Sequence, residues 1–252
     1  DLRLVLEAAL GSKHLNQTEK ALIGLRSMIM AGRFKTGQRL PEIAVSEQLG
    51  ISRTPLRQAM DRLVAEGLLD RISTGGCRVA RFTKEDIADA IQIRGVIEGT
   101  AARMAAERGA DPDLLARAKS ILSQIDTALS ESGGIDFDAY VSANRAFHDI
   151  IAHLSGSALM IRELERMAQL PLASPSAFLS DQELIPDFQE SLKHAQRQHR
   201  TILEAIENRE GSRAEALARE HARLALMNFN YLTEQKPAQA RNVPGLALLT
   251  EK

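Results

Sequence analysis

The stretch Glu42-Ile43-Ala44-Val45-Ser46-Glu47-Gln48-Leu49-Gly50-Ile51-Ser52-Arg53-Thr54-Pro55-Leu56-Arg57-Gln58-Ala59-Met60-Asp61-Arg62-Leu63-Val64-Ala65-Glu66 decides the reading of this 252-residue chain. A short helix stops at Leu49-Gly50, Ile51 follows, and Ser52 stands where it caps a second helix whose apolar face is Leu56, Met60, Leu63 and Val64. That is helix-turn-helix spacing. The opposite face of the second helix presents Arg53, Arg57, Gln58 and Arg62, with Ser52 and Thr54 in its first turn. Guanidinium groups bind guanine edges or clamp phosphates, and hydroxyls beside the free N–H groups of a helix N-terminus suit phosphate oxygens. Pro55 has no donor to lose there. The face therefore fits a major groove, and the alternative is a solvated face in an ordinary helical pair.

Outward from this stretch, the charge divides. The whole chain has 32 Lys plus Arg against 33 Asp plus Glu, a net of -1. Residues 13–82 hold 12 basic and 6 acidic side chains, a net of +6, and the remainder is left at -7. A basic piece joined to an acidic one is the pattern of a nucleic-acid-binding head on a domain with another task. The basic piece reads as a helix over 18–30, the two helices already described, and two short strands around Ser73-Thr74-Gly75-Gly76. A second domain begins at Thr83, an N-cap candidate before Lys84-Glu85-Asp86. It reads as helices over about 84–108, 112–131, 136–154, 157–169, 187–208 and 211–232. The fold class expected is mainly α, with domains at 15–82 and 84–232 and a tail over 233–252.

Composition excludes several classes. At 44% apolar and 26% charged the chain can bury a core and is neither disordered nor collagen-like. Its 4% aromatic content is low for a strand-rich sandwich. The single Cys77 makes neither an internal disulfide nor a cysteine zinc site and fits a reducing compartment. No apolar run reaches the roughly 18 residues of a membrane span, and the interrupted apolar opening Leu2 to Leu10 does not read as a signal peptide. The location expected is cytoplasmic.

Three of the six histidines interrupt apolar helical stripes. His148 follows Tyr140, Asn144 and Phe147 and precedes Ile151; His199 continues Phe188, Leu192 and Ala195; His221 continues Ala214, Leu217 and Ala218. Imidazoles inside an apolar bundle need partners, and one shared divalent metal satisfies all three. Asn144, one turn before His148, can face the same centre. Three core histidines separately bonded to backbone carbonyls are the alternative. His14, His153 and His194 lie off the stripes and read as surface residues.

The runs Phe34-Lys35-Thr36-Gly37-Gln38-Arg39-Leu40-Pro41-Glu42, Leu49 to Ala59, Arg62-Leu63 and Glu66-Gly67-Leu68 resemble the winged helix-turn-helix of the GntR family of bacterial transcription regulators, over about residues 15–82. The resemblance implies that Arg53 and Arg57 contact double-stranded operator DNA and that the wing tip, Gly75-Gly76, approaches the minor groove. Here Ile43 stands where many members carry an arginine, and the wing is poorer in arginine and aromatic residues, so fewer phosphate anchors are expected. The acidic half, through Arg94, Glu98 and Ala101-Ala102, Phe147-His148, the run His199 to Ile206, and His221, is similar to the helical effector-binding (FCD) domain of the FadR-like branch. That likeness implies a divalent metal (zinc, nickel or manganese) held by an Asp and three His, and a small organic acid beside it. In this sequence the Asp position is Asn144, whose neutral amide binds a cation less tightly. Arg94 becomes a candidate for the effector carboxylate, or else an i, i+4 partner of Glu98.

The expected function is a homodimeric regulator, a repressor in the commoner arrangement of the family, whose operator affinity responds to the acid. One alternative makes the metal itself the signal. Another, on the dipeptide His148-Asp149, is a metal-dependent helical hydrolase. It is disfavoured because adjacent helical residues lie about 100° apart, which takes Asp149 off the stripe that carries His148.

Overall fold

The structure, a computed structural model, describes residues 15–130, 134–169, 186–235 and 246–249; the side chains of 169, 186–188, 235 and 247 are not among those described. The apolar opening, His14, most of the Pro171 to Pro186 connection and the Phe188 side chain thus lie outside the described residues. The elements run α1 (Gln17–Met30), α2 (Glu42–Leu49), α3 (Arg53–Ala65), β1 (Leu69–Arg71), β2 (Cys77–Val79), α4 (Lys84–Arg108), α5 (Pro112–Ser130), α6 (Phe137–Leu154), α7 (Ala158–Gln169), α8 (Pro186–Glu207), α9 (Gly211–Gln235) and a 3-10 turn at Leu246–Leu248. The chain divides into two units, residues 1–86 with 241–252, and residues 87–240. The fold is mainly α, as the sequence led one to expect.

In the first unit α1, α2 and α3 pack through Leu25, Met28, Ile29, Val45, Leu49, Leu56, Ala59 and Leu63, all buried. Asn16 starts α1 with a reciprocal cap: its side chain accepts from Glu19 N–H while Glu19 accepts from Asn16 N–H. Gly50 ends α2 in the left-handed region, at φ 63°, which turns the chain into α3 within two residues. Ser52 occupies the N-cap position of α3 but its hydroxyl makes no capping hydrogen bond, contrary to the expectation that it caps. The wing is an antiparallel pair in the register Leu69↔Val79, Asp70↔Arg78 and Arg71↔Cys77. Gly75 and Gly76, at φ 98° and 80°, close it in a conformation that side chains with a Cβ resist.

The second unit is helical throughout its described residues. Its core runs from Ala102, Ala105 and Ala106 of α4 through Ile121, Leu122 and Ile125 of α5 and Phe147 and Ile151 of α6 to Ile202 and Ile206 of α8. Thr83 caps α4 as the sequence suggested, with Asp86 N–H donating to Thr83 Oγ1 and Thr83 N–H to the Asp86 carboxylate. At Gly95 and Gly99, α4 lies so close to α9 that an added Cβ would come within 2.6 Å of Ala222 Cβ and 2.8 Å of Arg219 Cγ. Small residues at i and i+4 let the backbones approach, and this brings Arg94 and Glu98, each one position before a glycine, toward His221.

The C-terminal end differs from the expected tail over 233–252. Helix α9 continues to Gln235, and Leu246 and Leu248 are buried, Leu248 within the core of the first unit. A polar, proline-punctuated stretch with two apolar residues has no periodicity from which such packing could be read.

Candidate functional site

Each histidine of the apolar stripes is carried by its own helix: His148 by α6, His199 by α8 and His221 by α9. All three are buried, His199 completely. The packing of these helices brings His199 Nε2 within 3.0 Å of His221 Nε2, and His221 Nε2 within 3.4 Å of His148 Nε2.

The other nitrogen of each ring decides what this cluster can do. His148 Nδ1 lies 3.0 Å from Glu98 Oε1, an ionised carboxylate that can only accept, so the proton is on Nδ1. Gln196 Nε2 donates to Leu122 O and to Asp126 Oδ1, so its Oε1 is the atom left to accept from His199 Nδ1, at 3.2 Å. Gln198 Oε1 accepts from His221 Nδ1 at 3.0 Å. With all three Nδ1 positions protonated, three Nε2 lone pairs face one another without a hydrogen between them. Lone pairs crowded in this way repel unless a cation lies among them. Two nitrogens about 2.0–2.1 Å from one ion sit roughly 3.0–3.4 Å apart, so the donor set and its spacing fit a divalent metal.

Electrostatics keeps the rings ready for that role. Burial and the neighbouring His148 lower His221 to about 3, with Glu98 opposing, and burial drives His199 well below the ordinary histidine value. Both are therefore neutral near pH 7, the form that ligates. Burial alone would raise the Glu98 carboxyl, but its electrostatic interactions with the His148 ring and the Arg94 guanidinium, together with the His148 hydrogen bond, outweigh it and hold it at about 2.

Asn144 is buried and lines a small cavity of about 40 Å³ together with Arg94, Tyr140, His148 and His221. Arg94 is also buried, with Nε 3.7 Å from Glu98 Oε1. Arg94 thus stands beside Glu98, the i, i+4 partner that the sequence offered, and lines the cavity. Arg94, Glu98 and His148 border a second, wider cavity of about 360 Å³, whose outer wall includes Arg145, Asp149 and Glu165. Asp149 itself is exposed, as its position off the stripe requires, and so are His153 and His194. Sequence reasoning missed Glu98 as the orienting partner of His148 and did not find Gln196 and Gln198 at all. A glutamine beside or one turn before a buried histidine was the available sign.

On the first unit, Arg53, Thr54, Arg57, Gln58 and Arg62 are exposed along one side of α3, and Ser52 precedes them. Two of these side chains are engaged. Arg57 Nε donates to Glu42 Oε2 at 2.8 Å, which raises the arginine's already high pKa, and Gln58 Oε1 accepts from Thr18 Oγ1 at 2.7 Å. At the wing, Arg39 Nη2 donates to Gly75 O at 2.9 Å and so braces the tip. Arg39 adds a cation beside Gly75-Gly76 that the sequence reading did not place there.

Comparison with known proteins gives two family matches: residues 18–79 match the bacterial regulatory proteins of the gntR family, and residues 89–224 match the FCD domain. The chain is 28% identical over 184 residues to a probable D-xylose utilization operon transcriptional repressor of Paenarthrobacter nicotinovorans, covering 71% of this chain and 74% of that protein. It is 28% identical over 200 residues to the HTH-type transcriptional repressor GlaR of Escherichia coli K12, covering 78% of this chain and 88% of GlaR. Its fold is similar to that of E. coli McbR/YncC, with a TM-score of 0.59 at 24% identity, over 88% of this chain and 99% of the other.

Proposed function

Because the chain belongs to the GntR family of transcription regulators and carries an FCD domain, we propose that it is a homodimeric, ligand-responsive repressor whose operator affinity is set by a divalent metal and a small organic acid bound in the helical domain. Its relatives are transcription regulators and not enzymes, and no helix among the described residues is long and apolar enough to cross a membrane. As a DNA-binding regulator it works where the operator is, in the cytoplasm. The repressor sense draws on the two relatives named as repressors.

The observation that carries the reading is the convergence of three buried Nε2 atoms whose Nδ1 partners are all oxygens. His148, His199 and His221 would hold the metal, with Asn144 the neutral fourth candidate. The metal supplies fixed positive charge that joins three helices and attracts a carboxylate. Glu98, Gln196 and Gln198 fix the ring orientations. Arg94 borders both cavities and presents a planar fork to an anion, and the wider cavity has the room for a small acid that the 40 Å³ space lacks.

In the head, Arg53 and Arg57 are proposed to reach bases or phosphates from α3, with Ser52, Thr54 and Gln58 beside them and the Gly75-Gly76 tip at the minor groove. Arg57 must exchange Glu42 for DNA on binding. A two-fold dimer would present two such heads to a near-palindromic operator, and ligand binding would favour one spacing of them. The test is operator binding by the full chain to DNA flanking its own gene. Specific, salt-sensitive binding that changes with metal and organic acid supports the reading, and its absence refutes it.

A further inference from the structure

Of the expected tail, residues 246–249 are described, and they belong to the DNA-binding head. Leu246 and Leu248 are 7% and 1% exposed, and Leu248 lies in the same apolar cluster as Leu25, Leu56 and Val79. Leu249 N–H donates to Leu246 O at 3.1 Å, closing a turn that aims the leucines inward. Leu249 then pairs with Phe82 as a parallel β-bridge, and Phe82 itself packs against that cluster.

We propose that residues 246–249 are an integral element of the reading head, a clasp without which its core is incomplete, and that they give the helical domain a second covalent hold on the head. A head of roughly 70 residues has a small core, in which one fully buried leucine is a substantial share. The placement of the clasp matters more than its size. Phe82 immediately precedes Thr83, the cap of α4, and α4 carries Arg94 and Glu98. The clasp is the continuation, through residues 236–245, of α9, which carries His221. The chain leaves the head at Phe82 and re-enters it at Leu249, and these two residues are bridge partners. Two of the four helices that bring charged or ligating groups to the histidine cluster, α4 and α9, are therefore joined by chain connectivity to this part of the head.

The experiment compares the full chain with Leu248→Asp and with a chain ending at Gln235, by hydrogen exchange read peptide by peptide and by operator titration. Amides of α1–α3 should exchange at least tenfold faster in both variants while those of α5 and α6 keep their rates, and operator Kd should rise at least tenfold. A second variant guards against simple misfolding: Phe82→Cys with Leu249→Cys, in an otherwise native chain, should oxidise to an intramolecular disulfide, since bridge partners lie within disulfide reach, and should keep native exchange rates in the head. Unchanged head exchange and operator affinity on truncation, or failure of the cysteine pair to crosslink, would overturn the proposal.

Discussion

His199 Nε2 lies 3.0 Å from His221 Nε2, and each ring is turned to that position by a glutamine oxygen on its other nitrogen, Gln196 for His199 and Gln198 for His221. Two neutral imidazoles held lone pair to lone pair in a buried site form an arrangement that a cation relieves, and the first expectations concern that cation.

Saturating zinc, nickel or manganese should stabilise the helical domain. At a hundredfold excess over Kd the linkage is about 2.7 kcal/mol, worth several degrees in melting temperature for a chain of this size. His199→Ala and His221→Ala should abolish the shift in a thermal melt. Glu98→Gln or Gln198→Leu should lower metal affinity about 10–100-fold by releasing the ring they orient.

Asn144→Asp should tighten metal binding. A carboxylate at the small cavity adds an anion where this chain offers a neutral amide, and a gain of about tenfold, roughly 1.4 kcal/mol, is expected in equilibrium dialysis. An unchanged affinity would place position 144 outside the ligand set.

Acid should loosen the helical domain. His199 and His221 are held neutral in the fold, His221 down to about 3, whereas in the unfolded chain they protonate near the ordinary histidine value of about 6.5. Below about pH 6.5 the unfolded state binds protons that the folded state refuses, so stability falls as pH drops toward 3. Glu98, held at about 2, adds stability that is present above about pH 4.5 and lost on further acidification. Melting temperatures between pH 7 and 4 should fall accordingly, and the metal-induced shift should shrink over the same range.

Gly95→Leu should separate α4 from α9. The nearest atom is Ala222 Cβ, which cannot swing aside, so overpacking costs about 1–3 kcal/mol or more and displaces Arg94 and Glu98 from the cluster. Metal affinity should fall together with stability, whereas Ile93→Ser, at an exposed position of the same helix, should leave both unchanged.

Much of the head was legible because its signs are local: a glycine stop, a three-residue connection to Arg53, a Leu/Met/Leu face and a Gly-Gly wing tip each follow from a few adjacent residues. The histidine stripes were legible for the same reason, since helical periodicity says which face His148, His199 and His221 share with the core. Their convergence was one of two readings that the stripes left open, because spacing along one helix does not say how three helices pack, and it was implied by the family resemblance. Glu98, fifty residues from His148, looked like a partner for Arg94 alone. Gln196 and Gln198 looked like ordinary polar positions, and the role of Arg39 at the wing tip depends on tertiary contact. The burial of Leu248 was not legible for a related reason: it acquires meaning only against a core assembled more than 160 residues earlier.

Arginine substitution separates reading from folding in the head. Arg53→Ala should cost about 1–3 kcal/mol of operator binding with no loss of stability, because the side chain is exposed. Arg57→Ala should do the same and also free Glu42, while Glu42→Gln, by releasing Arg57 from its 2.8 Å pair, should strengthen binding and steepen its salt dependence.

The central claim is that occupancy of the three-histidine centre sets the affinity of the head for its operator. The most direct test titrates the full chain against a labelled operator fragment at fixed salt, in three states: chelated, metal-loaded, and metal-loaded with a small organic acid. The account predicts specific binding whose Kd differs at least tenfold between the metal-loaded state and the metal-plus-acid state, with the difference lost in His199→Ala. The same Kd in all three states, in the native chain and in the variant alike, would contradict it.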